Sequence, residues 1–260
     1  MRLDADPGVA PPVGAEVDFF ELTDPGRTPP NADAVGHWPT DEGLVFMVAD
    51  GMGEGESGAV ASGLTLDAMA REIASAPSTW EVPKRLRRAV QAANLDVYAK
   101  ALAVPELRRM SATLTASAVV GATLHVAHVG NCRLFLRRER ELVQLTKDHA
   151  FGWEPGARGL GIGAVIAIDA VTLALREDDM LLQCSDGLHG ALAEAELAEL
   201  LAAHPPAAAC RAMVRRAREE GAEGDVTVQV AAVTHCPRAA HAWWRWRPET
   251  RVSGRSRTRA

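Results

Sequence analysis

Three aspartates stand at the ends of apolar stretches far apart in the chain: Asp50 in VADGMG, Asp186 in CSDGLHG and Asp225 in GDVTVQV. Each alone is an ordinary turn former or helix cap. Gathered at the rim of a sheet, they make an oxygen-rich pocket whose charges repel unless a cation neutralises them. Ligation by carboxylate oxygens alone points to Mg²⁺ or Mn²⁺ rather than zinc, whose sites prefer histidine and cysteine. The glycines after Asp50 are expected to let the backbone turn sharply and to leave the Gly51 carbonyl oxygen free for the same cation.

Other reactive side chains give no competing centre. His125 and His128 lie three apart in a strand, so they face opposite sides and read as structural. His149, in TKDHA, has no assigned chemistry. Ser185 lies beside Asp186, but CSDG lacks the GxSxG elbow of hydrolases and no paired base is evident. Cys132, Cys184, Cys210 and Cys236 never form CxxC, so reduced thiols are expected rather than a zinc site or a disulfide framework.

The elements that must position these groups can be read from apolar periodicity. Strand-like runs occur at 44–50, 113–120, 122–130, 132–139, 141–145, 171–175, 180–186 and 225–233. Those between 113 and 145 have very short connectors and read as one antiparallel meander. Val82, Leu86, Val90, Ala93 and Val97 repeat at helical steps over about 82–101. A helix beginning just after Gly58 turns Leu66, Met69, Ala70 and Ile73 inward, and two more, near 193–203 and 206–220, are separated by Pro205 and Pro206. Helices interrupt the strands in only two places, which excludes a regular βαβα pattern. The expected class is α+β: a four-layer αββα sandwich of two antiparallel sheets flanked by helices.

With 260 residues, 47% hydrophobic and 24% charged, the chain is ordinary for one globular domain, and no run approaches the length of a membrane span. Residues 1–15 read as a loose N-terminal segment and 16–235 as the catalytic domain. The beginning lacks the basic flank and apolar stretch of a secretory signal, so a cytoplasmic chain is expected. From His235 onward seven arginines face Glu249 alone, against a net charge of −6 for the whole chain. Residues 236–260 thus form a basic Arg/Trp-rich tail, either a flexible solubilising end or a segment touching an acidic partner, nucleic acid or a membrane surface. The acidic body argues against nucleic acid as the main substrate.

In the blocks TDPGRTPPNAD, VADGMGEGESGAVAS, SATLTASAVV, AHVGNCRLFLRRERELVQLTKDHA, DDMLLQCSDGLHGAL and GDVTVQVAAV, spanning residues 23–233, the sequence resembles the bacterial metal-dependent protein phosphatases of type 2C, the PPM family. The resemblance implies hydrolysis of phosphoserine and phosphothreonine in proteins, opposing a serine/threonine kinase. It implies two ions, Mg²⁺ or Mn²⁺, with Asp50 bridging them, Asp186 and Asp225 completing the first, and Gly51 and Asp33 serving the second. Arg27 would grip the substrate phosphate, because guanidinium pairs with two phosphate oxygens at once. Met52 cannot transfer a proton, so the leaving alkoxide must take one from water or another group.

The sequence also departs from the family pattern. Arg27 stands six positions before Asp33, one farther than usual. Glu54 replaces the second glycine of DGMGG, and Val226 follows Asp225 where asparagine is common. Asn131 occupies the place of the aspartate that helps bind a third, weaker ion, so two ions are expected rather than three. Only FGWEPGARGLGIGAVIAIDA stands where relatives carry a helical flap, which leaves a more open site or one completed by a partner. Two other readings stand beside the phosphoprotein phosphatase: a phosphatase-like regulatory module with little turnover, and a hydrolase of small phosphate esters.

Overall fold

The computed structural model describes residues 14–27, 29–150 and 157–236. In chain order these form β1 (Glu16–Asp24), β2 (Asp33–Thr40), β3 (Gly43–Met52), α1 (Ser57–Ser75), α2 (Val82–Ala103), β4 (Ser111–Val120), β5 (Thr123–Val129), β6 (Arg133–Arg138), β7 (Glu141–Gln144), β8 (Asp169–Ala174), β9 (Met180–Cys184), α3 (Asp186–His189), α4 (Glu194–Ala203), α5 (Pro206–Glu219) and β10 (Val226–His235). The strands make two five-stranded antiparallel sheets, one ordered β1-β10-β9-β6-β7 and the other β2-β3-β4-β5-β8.

Side-chain alternation assigns the layers. Val45, Met47 and Ala49 of β3 pack with Ala61, Ala68 and Met69 of α1 and with Leu86, Val90 and Val97 of α2. Phe46, of opposite parity, joins Leu124, Leu134, Leu181 and Val233 in a second core between the sheets. On the far side, Leu182, Val228 and Val230 are covered by Leu197 and Leu201 of α4 and by Cys210 and Met213 of α5. The order is helix, sheet, sheet, helix, the expected αββα sandwich. Proline stops and starts set the helix ends as anticipated: Pro205 caps α5 and Pro206 opens it, where a missing N–H costs nothing.

The run 113–145 is not one meander. β4 pairs β5 in one sheet and β6 pairs β7 in the other, and the chain crosses the sandwich at Gly130–Cys132. A short connector looks the same in sequence whether the next strand pairs or changes sheet. β1 and β2, absent from the sequence reading, have mostly half-buried residues with little clean alternation. Asp50 does not end its strand, since β3 continues through Gly51 to Met52, which lies opposite Ser111. Asp186 heads α3 rather than closing β9.

The layer between the sheets is apolar at one end and polar at the other. The alternation that sends Leu114 and Ala116 of β4 to the helices sends Thr113, Thr115 and Ser117 toward the facing sheet, and all three are buried. Ser117 Oγ bonds Gln183 Oε1 on β9, and Gln183 Nε2 donates to Gln229 Oε1 on β10 at 3.2 Å. Gln229 Nε2 in turn donates to Glu21 Oε2 at 2.7 Å and to the Gly36 carbonyl at 3.2 Å. These partnered polar groups lead toward the rim where Asp33 and Asp50 stand.

Candidate metal centre

Asp33 opens β2 and lies directly opposite Asp50 of β3 in the antiparallel register. Asp50 shares the parity of Phe46 and Val48, so both carboxylates point into the gap between the sheets. From the other sheet, Ser185 Oγ donates to Asp33 Oδ2 at 2.6 Å and accepts from the Thr227 N–H at 3.0 Å. That hydroxyl is fully committed, which accounts for a serine beside Asp186 that is no nucleophile. It is also the residue that sequence reasoning missed as part of the site: the CSDG motif signalled it, but its partner lies 152 positions away.

Asp225 precedes β10 and fastens the β1–β2 loop, its Oδ1 accepting from Gly26 N–H and its Oδ2 from Ala32 N–H, both at 2.7 Å. Asp186, at the exposed mouth, accepts from Asn131 Nδ2 at 3.2 Å. Of the glycines after Asp50, Gly55, with φ +59°, lies in the anticipated turn before α1, whereas Gly51, like Gly187 after Asp186, serves close approach. A Cβ on Gly51 would lie 1.9 Å from the Gly58 carbonyl oxygen of α1, and one on Gly187 would lie 2.0 Å from that of Asp225. Gly51 donates its N–H to Ala32 O at 2.9 Å, and its own carbonyl faces Gly58.

Asp33, Asp186 and Asp225 all lie within electrostatic reach of Asp50, and Asp186 and Asp225 within reach of Asp33. Burial pushes the Asp50 carboxyl well above its ordinary value, and the charges of Asp33, Asp186 and Asp225 add to the rise. Burial likewise raises Asp33 to about 6, against hydrogen bonds from Ser185 and Thr227 and with help from the Asp225 and Asp186 charges. No arginine or lysine is among the main groups acting on either. Among the described residues, no three His, Cys, Asp or Glu side chains form a ready-made metal-binding group. The chemistry of the donor set nonetheless fits a hard divalent cation: carboxylates of one sign, desolvated and without a counter-charge. The Oδ1 of Asn131, buried and without a hydrogen-bond partner, is a further spare oxygen beside Asp186.

The remaining candidates sit apart. Arg27 is exposed, with Nη1 2.7 Å from Glu223 Oε1, and none of its hydrogen bonds reaches the four carboxylates. Its link to the cluster is its neighbour Gly26, whose amide Asp225 holds. Glu54 is exposed in the loop before α1, and Val226 is buried at the start of β10. His125 meets Thr172, while His128 is buried between Thr115 and the Lys147 carbonyl, its pKa pushed down to about 4 by burial and then by His149. The N-terminal segment before residue 14, residues 151–156 of the shortened flap and the tail beyond Cys236 lie outside the described residues.

A family model described as Stage II sporulation protein E (SpoIIE) matches residues 40–234. The chain belongs to this SpoIIE/PP2C-type domain family. It is 32% identical over 207 residues to the serine/threonine protein phosphatase PstP of Mycobacterium tuberculosis, covering 73% of this chain but spanning only 40% of that relative's length. The serine/threonine phosphatase Stp of Listeria monocytogenes is 27% identical over 211 residues, with 72% of this chain and 84% of that one covered. Among solved structures, the catalytic domain of PstP in complex with two manganese ions superposes with a TM-score of 0.75 at 29% identity, covering 84% of this chain and 99% of that one.

Because folded Asp33 and Asp50 hold protons more tightly than the unfolded chain, that stabilisation is complete below pH about 4 and is lost as pH rises, the Asp33 share through about 6. Thermal melts of the metal-free chain are therefore expected to fall over this window. Asp50→Asn should flatten the fall and raise the metal-free Tm at neutral pH. Gly187→Ala should cost about 2 kcal/mol or more in denaturant melts, because backbone rather than a flexible side chain must move.

Proposed function

We propose that residues 16–235 are a catalytic domain hydrolysing phosphoserine and phosphothreonine in proteins, with two divalent ions, Mg²⁺ or Mn²⁺, held by Asp33, Asp50, the Gly51 carbonyl, Asp186 and Asp225. The observation that carries this reading is the uncompensated negative charge shared by four aspartates from both sheets. The likeness to PstP, whose catalytic domain was solved with two manganese ions, supports it.

Once bound, such a pair of ions acidifies a water and offsets the charge that develops on a transferring phosphoryl group. The chain's own residues supply placement. Ser185 fixes one oxygen of Asp33, leaving the other carboxylate oxygen for a cation. Asp225 spends one lone pair of each oxygen on the β1–β2 loop and keeps the others. Asn131 orients Asp186 through its amide nitrogen.

Arg27 then receives the phosphate. Its pair with Glu223 is exposed on both sides, at 78% and 69% side-chain accessibility, and such pairs contribute about 0–1 kcal/mol. A phosphate dianion, gripped by two N–H groups, displaces Glu223 readily. In the overall reaction the ester P–O bond breaks, water oxygen joins phosphorus, and the alkoxide takes a solvent proton. A serine/threonine kinase would supply the substrate. The buried thiols Cys132, Cys184 and Cys210 suit a reducing compartment, and cytoplasm is our assignment. No helix among the described residues is long and apolar enough to cross a membrane.

The direct test is release of phosphate from a phosphothreonine peptide with Mn²⁺. EDTA should abolish turnover, and Asp50→Asn should lower kcat/KM by about 10³-fold or more, since it removes a buried carboxylate that would hold the ions. Turnover indifferent to both changes refutes the metal reading. Faster hydrolysis of p-nitrophenyl phosphate than of the peptide would favour a small-ester hydrolase.

Arg27→Ala is expected to raise KM for the peptide by about tenfold with a smaller change in kcat, as loss of a ground-state phosphate contact predicts. Steady-state kinetics at saturating Mn²⁺ separates the two parameters.

A further inference from the structure

The crossing turn Gly130–Cys132 carries Asn131, the residue that touches Asp186, and each of its three residues has a backbone group held from outside the turn. His149 holds both peptide groups that flank Gly130: its backbone N–H donates to Gly130 O, in the Gly130–Asn131 peptide, at 2.8 Å, and its Nδ1 accepts from Gly130 N–H, in the Val129–Gly130 peptide, at 3.0 Å. His189 Nε2 donates to the Asn131 carbonyl at 3.0 Å, and Thr115 Oγ1 to the Cys132 carbonyl at 2.6 Å. Gly130 has φ +101°, and a Cβ there would lie 2.3 Å from Thr113, so the turn has one conformation in which to seat.

The tautomer of His149 follows from its partners. A backbone N–H can only donate, so Nδ1 carries the lone pair and the ring proton is on Nε2. That proton goes to Asp169 Oδ2 at 3.0 Å, while Arg158 Nη1 donates to the other oxygen, Oδ1, at 3.0 Å and lies 3.1 Å from Nε2 in contact rather than as its donor. The bond from His149 is the main cause holding the Asp169 carboxyl below its ordinary value. The ring itself is 7% exposed and lies 5.0 Å from the buried His128. Arg158 stands in the connection between β7 and β8, and Asp169 opens β8. The start of β8 and Arg158 are therefore tied, through one imidazole, to the turn beside the carboxylate cluster.

We propose that His149 is a positioning residue: by holding the Gly130 backbone it fixes Asn131 against Asp186, and Asp169 with Arg158 locks its ring for that task. The inference rests on the metal reading above. Supporting groups of this kind typically change metal affinity by about 10–100-fold when removed.

Calorimetric titration of the metal-free chain with Mn²⁺ tests it without reference to turnover. His149→Ala should weaken Mn²⁺ binding about tenfold. His149→Asn, whose amide oxygen can replace Nδ1 as acceptor, should recover most of the loss. If His149 acts through Asn131, the double variant with Asn131→Ala should bind Mn²⁺ no more weakly than the worse single variant. Asp169→Ala, a change at a half-exposed side chain one link away, serves if His149→Ala does not fold, and should weaken binding about threefold or more.

Unchanged Mn²⁺ affinity in folded His149→Ala or Asp169→Ala, or additive losses in the double variant, overturns the inference and leaves the metal reading standing. A wild-type chain that binds no Mn²⁺ overturns the metal reading and the inference with it.

Discussion

The site depends on keeping several carboxylates of like charge side by side in a place where water cannot fully solvate them. Two carboxylates about 4 Å apart repel by about 4 kcal/mol at an effective dielectric near 20. Left to itself, such a group would spread or take up protons, as the raised values of Asp33 and Asp50 show. The fold opposes spreading with bonds that each reach across the sandwich. Ser185 ties Asp33 of one sheet to Thr227 of the other, and Asp225 ties the start of β10 to the loop that enters β2. Burial is graded as well, from Asp33 at the floor to Asp186 at the mouth, so charge is concentrated where the strands converge and relieved where they open.

This constraint explains an uneven interior. An entirely apolar layer between the sheets would bring the carboxylates to a wall with no hydrogen-bond donors. Instead Thr113, Thr115, Ser117, Gln183 and Gln229 fill the half of the layer nearer the rim, while Phe46, Leu124 and Leu181 fill the other. Buried polar groups are tolerable when they are partnered. Here the glutamine ladder satisfies itself from β4 to β1.

Much of this architecture was legible in the sequence because it rests on local periodicity. The α2 repeat of Val82, Leu86, Val90 and Val97 became a helix face packed toward β4 and β5. What failed was what periodicity does not encode. β1 and β2 are half-exposed, so no clean alternation marked them. The change of sheet at Gly130 hid behind a connector as short as a hairpin's. At the site the aspartates were visible as apolar runs ending in charge, and the structure gathers them. Their supports were not visible, because Ser185 and Asp33, or Asp225 and Ala32, are far apart in sequence. Even the glycines that follow Asp50 and Asp186 have another role than their letters suggest: DG signals a turn, whereas Gly51 and Gly187 are places where another backbone presses in.

That last difference changes how a DG pair should be weighed. A turn glycine answers to its own φ and ψ and says little about the rest of the chain. A close-approach glycine answers to a second segment, so it carries information about tertiary contact. Gly51 admits the first turn of α1 against β3, and Gly187 admits the backbone of Asp225 against α3. The first contact sets the depth of Asp50 beneath the helix layer; the second sets the spacing of Asp186 and Asp225. Two residues without side chains thus govern where three carboxylates stand. A larger residue at either position would disturb the spacing of the charges without touching any of them. It follows that aspartate followed by glycine, once within a strand of one sheet and again at the head of the helix that follows a strand of the other, is a stronger sign of one shared site than either aspartate alone.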